Sequence, residues 1–320
     1  MSTRTDAGWS IGALGVRVSG PPSTLVDSLV RRLRAFAAST SADVVFTITE
    51  ADAPASAVPR PAGLARDLFE PEYAIEYFPT RDMLYLADHS VVARADLATG
   101  RVSMAARPGD ERGAFLGSHL FFTLPVLEYL KRRGTFAIHA ASAALDGRAV
   151  LVAGGSGVGK STIALACALS GWSLLSDDIA LVEGDVDRVR GFPDELDLTP
   201  DTIALFPEIA GALRGSSSAT GKHSVSPIDL SRIHIADAAH LAALVFPERA
   251  TVGLPRAVDP DEALERLVPN VVRTDVRSAQ AHLDALARVA RRVPAFSVPI
   301  ADPLRAPLVL RDVANTPDRG

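Results

Sequence analysis

Residues 148–162 read Arg-Ala-Val-Leu-Val-Ala-Gly-Gly-Ser-Gly-Val-Gly-Lys-Ser-Thr. Arg148 to Ala153 is a short apolar run with strand character. Ser161 to Ser170 is a helix-like run, and Gly171 stands where a helix C-terminal stop belongs. Between them Gly154, Gly159, Lys160 and Ser161 fill the pattern G-x-x-x-x-G-K-[S/T], in the strand–loop–helix order that the pattern requires. Each position has a physical job. The glycines let main-chain N–H groups turn inward around a polyphosphate with no Cβ in the way. Lys160 can neutralise β- and γ-phosphate oxygens, and the Ser161 hydroxyl can ligate Mg2+. The helix that follows aims its positive N-terminal end at the anion. The chain has 23 Gly but only three Lys, at 131, 160 and 222, so a chance match is roughly 1 in 500. A nucleotide site over Gly154, Gly155, Ser156, Gly157, Val158, Gly159, Lys160, Ser161 and Thr162 follows, with ATP and Mg2+ as its ligands.

Composition sets the bounds around this loop. The 320 residues suit one large domain or two ordinary ones, and 48% hydrophobic residues allow a sizeable core. A net charge of −5 gives no general electrostatic case for nucleic acid. The single cysteine, Cys167, excludes a disulfide within the chain and reads as a small buried apolar residue. The N-terminus lacks the basic-then-apolar build of a signal peptide. The longest candidate for a membrane span, Phe136 to Ala153, is broken by His139, Asp146 and Arg148. A soluble cytoplasmic protein is expected, with a homo-oligomer left open.

Along the chain the patterning predicts three parts: an N-terminal α+β unit over 1–113, a bridging helix over 114–134, and a nucleotide-binding domain over 135–320. In the first part, strands are expected over 11–19, 43–49, 73–77, 83–87, 90–96 and 101–105. Ser23-Thr24 caps a helix with Leu25, Val26, Leu29, Val30, Leu33 and Phe36 on one face, and 53–63 is a loop. Ala114 to Arg133 reads as one long helix kinked at Pro125. Phe136 to Ala144 and Arg148 to Ala153 form a hairpin around Asp146-Gly147. Trp172 to Asp178 is an apolar strand ending in two acids, and Glu183-Gly184-Asp185 is a turn. Arg214 to Pro227 reads as a polar Gly/Ser-rich loop flanked by Arg214 and Lys222, which could close over phosphates. Leu241 to Phe246 is a buried strand, Asp259-Pro260 opens a helix, Val276 to Arg292 forms another, and the last ten residues are frayed.

Binding alone is not transfer. Transfer needs a group to take the acceptor's proton and acids to hold the metal. Asp177-Asp178 ends the strand after the loop helix, and strand C-terminal ends face the ligand crevice of an α/β sheet. One carboxylate can hold Mg2+ and the other can accept a proton. A lone histidine on an apolar strand, as His139 is, reads more simply as a satisfied core residue.

Ile138-His139, the GGSGVGKS loop and Asp177-Asp178, in this order and spacing, resemble the C-terminal catalytic domain of the HPr kinase/phosphorylase family. The likeness is clear over about 135–185 and weak over 186–250, and it leaves out the first 110 residues. The resemblance implies an α/β fold (α+β overall), with a mixed-sheet nucleotide-binding domain of HPr kinase/phosphoenolpyruvate carboxykinase type. It implies Asp177 as the acid/base acting on a serine hydroxyl, Asp178, like Ser161, as support for the metal, and His139 alongside the carboxylates. The family's acid inside the loop is Gly155 here and its Glu after Ser161 is Thr162. Its E-x-R-G-L-G signature is not recognisable, with Arg190-Gly191-Phe192-Pro193 in a related place. These departures point away from HPr itself. They point toward the divergent relatives, some of which resemble serine kinases of ribosomally made peptides such as lasso precursors. An ATP-dependent serine kinase acting on a protein or peptide is therefore expected. The alternatives are a small-metabolite kinase and a non-catalytic nucleotide-binding protein.

Overall fold

Asp146 and Gly147 both take left-handed backbone angles, φ 51° and 79°. That is the two-residue turn whose twist matches paired strands. It joins two of the strands that carry the site. The computed structural model describes residues 4–317 apart from 64–65, 71–72, 81, 184–187, 217–220, 249–252 and 272–278. The chain divides into two compact units, Met1–Arg133 and Gly134–Gly320. The segment expected to bridge two halves falls within the first. Both units mix strands and helices, so the chain is α+β.

The first unit runs β1 (Thr5–Ile11), β2 (Leu14–Gly20), α1 (Thr24–Arg32), β3 (Val44–Glu50), α2 (Pro54–Ala57), β4 (Arg66–Glu70), β5 (Tyr73–Pro79), β6 (Met83–Ala87), β7 (Val91–Asp96), β8 (Arg101–Ala106), α3 (Glu111–Ser118) and α4 (Leu120–Arg132). The strands form one sheet in the order β1-β2-β3-β8-β7-β6-β5-β4. Ser23 caps α1 by accepting from the Val26 N–H, and Leu25, Val26 and Leu29 are buried as the 3.6-residue period requires.

Three expectations in this unit need correction, and one strand was missed. The strand expected over 11–19 is the second arm of a β1–β2 hairpin, and β1 has too few apolar residues to announce itself. The expected loop over 53–63 contains α2, started by Pro54 at its first position. Strand β4 was not foreseen. The single helix over 114–133 is two helices broken at His119 (φ −100°, ψ −91°), with Pro125 inside the second. A proline ring crowds the carbonyl four residues earlier, so its strain lands on the first turn of α4 and not at Pro125 itself. Buried Arg32 reaches this break, donating to Ser118 O, to His119 O at 3.3 Å (which also accepts the Thr123 N–H at 2.8 Å) and to the Thr123 hydroxyl at 2.9 Å.

The second unit runs β9 (Thr135–Leu145), β10 (Arg148–Ala153), α5 (Lys160–Leu169), β11 (Ser173–Ser176), β12 (Ile179–Glu183), β13 (Arg188–Arg190), β14 (Leu196–Leu198), α6 (Pro200–Leu205), β15 (Arg214–Ser216), β16 (His223–Val225), β17 (His234–Ile235), β18 (Ala238–Glu248), β19 (Arg256–Val258), α7 (Pro260–Leu267), α8 (Ala279–Arg292), β20 (Ala295–Pro299) and α9 (Ala306–Ala314). The polar stretch 214–227 thus contains two strands where only loop was expected. The frayed end expected over the last ten residues is helical to Ala314. Gly184 and Asp185 of the expected turn, and residues 276–278 of the expected last long helix, lie outside the described residues.

Strand β10 pairs antiparallel with β9 and parallel with β18, and β11 and β12 pair antiparallel with β9. With β12–β13 and β13–β18 the pairing closes a ring, β9-β12-β13-β18-β10. Because β10 and β11 both run against β9, their C-terminal ends point the same way. Side-chain alternation splits the core in two. Val150, Val152, Ala141 and Ala143 meet α5 and α9, whereas Leu151, Ala153, Ile138 and Ala140 meet α7 and α8. A small third sheet, β14-β16-β15, places Leu196 and Leu198 in the α5 core. Asp197, between them, is thereby turned the other way.

Candidate functional site

The loop after β10 is open. Gly157 and Gly159 hold φ 79° and 96°, conformations that favour glycine, and a Cβ built at Gly155, Gly157 or Gly159 would meet nothing within 4 Å. Helix α5 starts with Gly159 at its N-cap and no side chain capping it, so its first N–H groups have no side-chain acceptor. Its other end closes conventionally. Trp172 N–H reaches Cys167 O at 3.1 Å and Gly171 N–H reaches Ala168 O at 3.2 Å, with Gly171 at φ 91°. Cys167 is fully buried and its thiol is pushed up to about 12 by that burial, as suits an apolar core residue.

Lys160 is buried, and its Nζ donates to Gly154 O at 2.8 Å and Gly155 O at 3.3 Å. Burial holds the ammonium below its usual range, opposed by the charges of Asp178 and Asp177, with Lys222 adding to the lowering. The loop thus curls around its own lysine, two of its carbonyls turned onto the ammonium.

Asp177 is the electrostatic centre. It is 5% exposed, and its Oδ1 has no hydrogen-bond partner among the described residues. Burial pushes its carboxyl up to about 7, and the neighbouring charge of Asp178 adds to that. Hydrogen bonds from the Ser161 hydroxyl and the Asp197 main-chain N–H pull the other way. A register shift between Leu174 and Ser176 aims it. Leu174 packs on the α5 side and Leu175 on the opposite side. With uninterrupted alternation Asp177 would follow Leu175 away from the loop. The extra residue flips the alternation and turns Asp177 toward Ser161. The buried pair Ser142 Oγ and Ser176 Oγ, 2.9 Å apart, pins the shifted register.

His139 does not sit in the core. It lies opposite Ile179 in the β9–β12 register, and its Nδ1 is 2.8 Å from Asp178 Oδ1, with the two side chains 40% and 62% exposed. Desolvation by the surrounding protein raises the Asp178 carboxyl. The hydrogen bond and charge of His139, with the charges of Lys160 and Lys222, outweigh this and hold it below the usual carboxylate range. The two adjacent acids are therefore driven apart, one toward neutrality and one toward ionisation. That is the pattern of groups given different proton-handling tasks.

The expected site residues mostly converge. Residues 154–161, Asp177, Asp178 and His139 gather at the ends of β10 and β11. Thr162 differs: its side chain is buried and its Oγ1 lies 2.8 Å from Thr202 Oγ1, tying α5 to the capped start of α6. Sequence reasoning missed Asp197. Its carboxyl is raised by desolvation despite the Ser224 hydrogen bond and the Lys222 charge, and the charges of Asp194 and Asp178 also raise it. Only an apolar-polar-apolar triplet, Leu196-Asp197-Leu198, hinted at a strand there. Among the described residues no group of three or more His, Cys, Asp or Glu is set to hold a metal ion. A Mg2+ site completed by phosphate oxygens needs no such cage. Among the described residues no helix is long and apolar enough to cross a membrane.

One family model matches, that of the SynChlorMet cassette protein ScmC, over residues 118–190. That span is less than half of the chain, and it includes His139, the loop and both acids. No curated protein matches the sequence. Among solved structures, the HPr(Ser) kinase/phosphatase from Coxiella burnetii is similar at 16% identity, covering 55% of this chain and 94% of its own, with a TM-score of 0.32.

Proposed function

We propose that the chain is a Mg-ATP-dependent kinase that transfers the γ-phosphoryl group to a serine hydroxyl of a protein or peptide, in the cytoplasm. The observation that carries this reading is Asp177: a buried carboxyl with one oxygen that has no partner among the described residues, its pKa raised to about 7, beside the hydroxyl of the loop's Ser161. A base poised near the working pH is what hydroxyl deprotonation asks for.

The residues fit the ligands they imply. The open glycine cradle and the uncapped N-terminus of α5 suit a polyphosphate. Lys160 exchanges two carbonyl partners for β- and γ-phosphate oxygens. The Ser161 hydroxyl and ionised Asp178 would hold Mg2+, which supplies charge neutralisation to the phosphate oxygens. His139 keeps Asp178 ionised and oriented. Asp177 takes the proton from the acceptor hydroxyl as that oxygen bonds to the terminal phosphorus, and Lys160 meets the charge left on the departing ADP.

The test uses γ-labelled ATP, Mg2+ and panels of serine peptides and hydroxylated metabolites. Asp177→Asn should lose transfer by 10²-fold or more, with ATP affinity within about threefold of the parent. Equal transfer by this variant would take the base role away from Asp177, no label on any acceptor with the parent would leave a binding protein only, and label on metabolites alone would move the acceptor class.

A further inference from the structure

The chain's three lysines are placed unequally. Lys131 is spent in a buried pair with Glu128 at 2.8 Å. Lys160 belongs to the loop. Lys222, half-buried, immediately precedes β16. Two residues on, Ser224 lies opposite Asp197 in the β14–β16 register and donates its hydroxyl to Asp197 Oδ1 at 2.6 Å. The main-chain N–H of Asp197 in turn donates to the carboxyl of Asp177. Two hydrogen bonds and one strand pairing therefore tie the start of β16 to the proposed base.

The electrostatics agree with this connectivity. The charge of Lys222 is felt at Lys160, at Asp178 and at Asp197. Such coupling weakens with distance and is screened in water, which accords with the β14–β16 register that sets residue 222 two positions from the partner of Asp197. The charge of Lys222 opposes that of Lys160, so the two ammonium groups repel each other. A polyphosphate between them turns that repulsion into attraction at both ends.

We propose that Lys222 is a second phosphate-binding cation of this site, carried by the β14–β16 ribbon and directed at the terminal phosphoryl group. Lys160 serves the β/γ bridge from within the loop, and Lys222 meets the γ-phosphate from the side of the two acids. This inference rests on the nucleotide-site reading above, and a discrimination between ATP and ADP follows from it.

The experiment measures binding of ATP and of ADP, each with Mg2+, to the full chain by calorimetry, with no acceptor present. The parent should bind both. Lys222→Met should weaken ATP about tenfold or more while ADP changes less than twofold, with Tm unaltered, and Lys222→Arg should restore most of the loss. Unchanged ATP affinity in Lys222→Met overturns the inference. So does an equal loss of ATP and ADP accompanied by a lower Tm, which would make Lys222 a structural partner of Asp197. The two proposals fail separately. A parent chain that binds ATP with this discrimination but transfers no label defeats the kinase and keeps the second cation. A parent that transfers label while Lys222→Met binds normally does the reverse.

Discussion

At the scale of single residues, Asp177 and Asp178 show how neighbours of identical chemistry acquire opposite protonation. Asp177 is buried and its Oδ1 has no partner among the described residues, and Asp178 has a histidine at 2.8 Å. The raised pKa of Asp177 has two consequences with definite signs. As a base it must be ionised, so kcat/KM should rise with pH through about 7 and flatten above. For stability, the folded state holds the proton up to about 7 and the unfolded chain releases it near 3.8. The native state therefore binds the extra proton in that window, and the contribution of Asp177 to stability falls as pH climbs from about 4 to 7. Asp177→Asn removes the ionisation. Urea melts should show it more stable than the parent at pH 8, by on the order of a few kcal/mol, and little different at pH 4. An Asn variant less stable than the parent at pH 8 would contradict the burial argument. Activity and stability thus pull against each other at one carboxyl.

At the scale of elements, what could be read in advance was what local chemistry dictates. The Asp146-Gly147 hairpin, the Ser23 cap, the Gly171 stop and the loop–helix unit each carry their own signal within a few residues. The Leu175 register shift does not, because it arises from a strand meeting β9, and β9 is thirty residues away. Hence the acid pair was legible but not which acid would face Ser161. His139 was ambiguous for the same reason, since only the β9–β12 register brings it to Asp178. Asp197 was invisible because its partner strand, β16, lies inside a polar stretch that looks like loop. The break at His119 was hidden by the more obvious Pro125. Gly191 is an element-scale case open to test. A Cβ there would lie 2.8 Å from both Leu175 O and Ala236 O, two main-chain atoms beside the register shift. Neither can move aside as a side chain would. Gly191→Ala should cost about 1–3 kcal/mol, read as a lower Tm, and should reduce transfer through the displaced Asp177. A Tm equal to the parent's would show that the close approach is relaxed at no cost.

At the scale of the whole molecule, the two units are unlike in chemistry. Every residue argued into the site, from His139 through the loop to Asp177, Asp178, Asp197 and Lys222, comes from Gly134–Gly320. That unit has its own ring of paired strands and apolar packing on both faces of the sheet, from α5 and α9 on one side and α7 and α8 on the other. It is the size of an ordinary domain, large enough to bury its own core. The first unit has an eight-stranded sheet of its own and contributes none of those residues. Residues 134–320 expressed alone should therefore unfold in a single cooperative urea transition and bind ATP within about threefold of the full chain. Noncooperative melting or lost ATP binding would mean that this core is incomplete without the first unit. Transfer by the fragment then divides the remaining roles. If it phosphorylates a peptide acceptor as the full chain does, residues 1–133 take no part in choosing the acceptor. If it binds ATP but loses peptide turnover, the first unit is where the acceptor is engaged, because the nucleotide and its base would both still be in place.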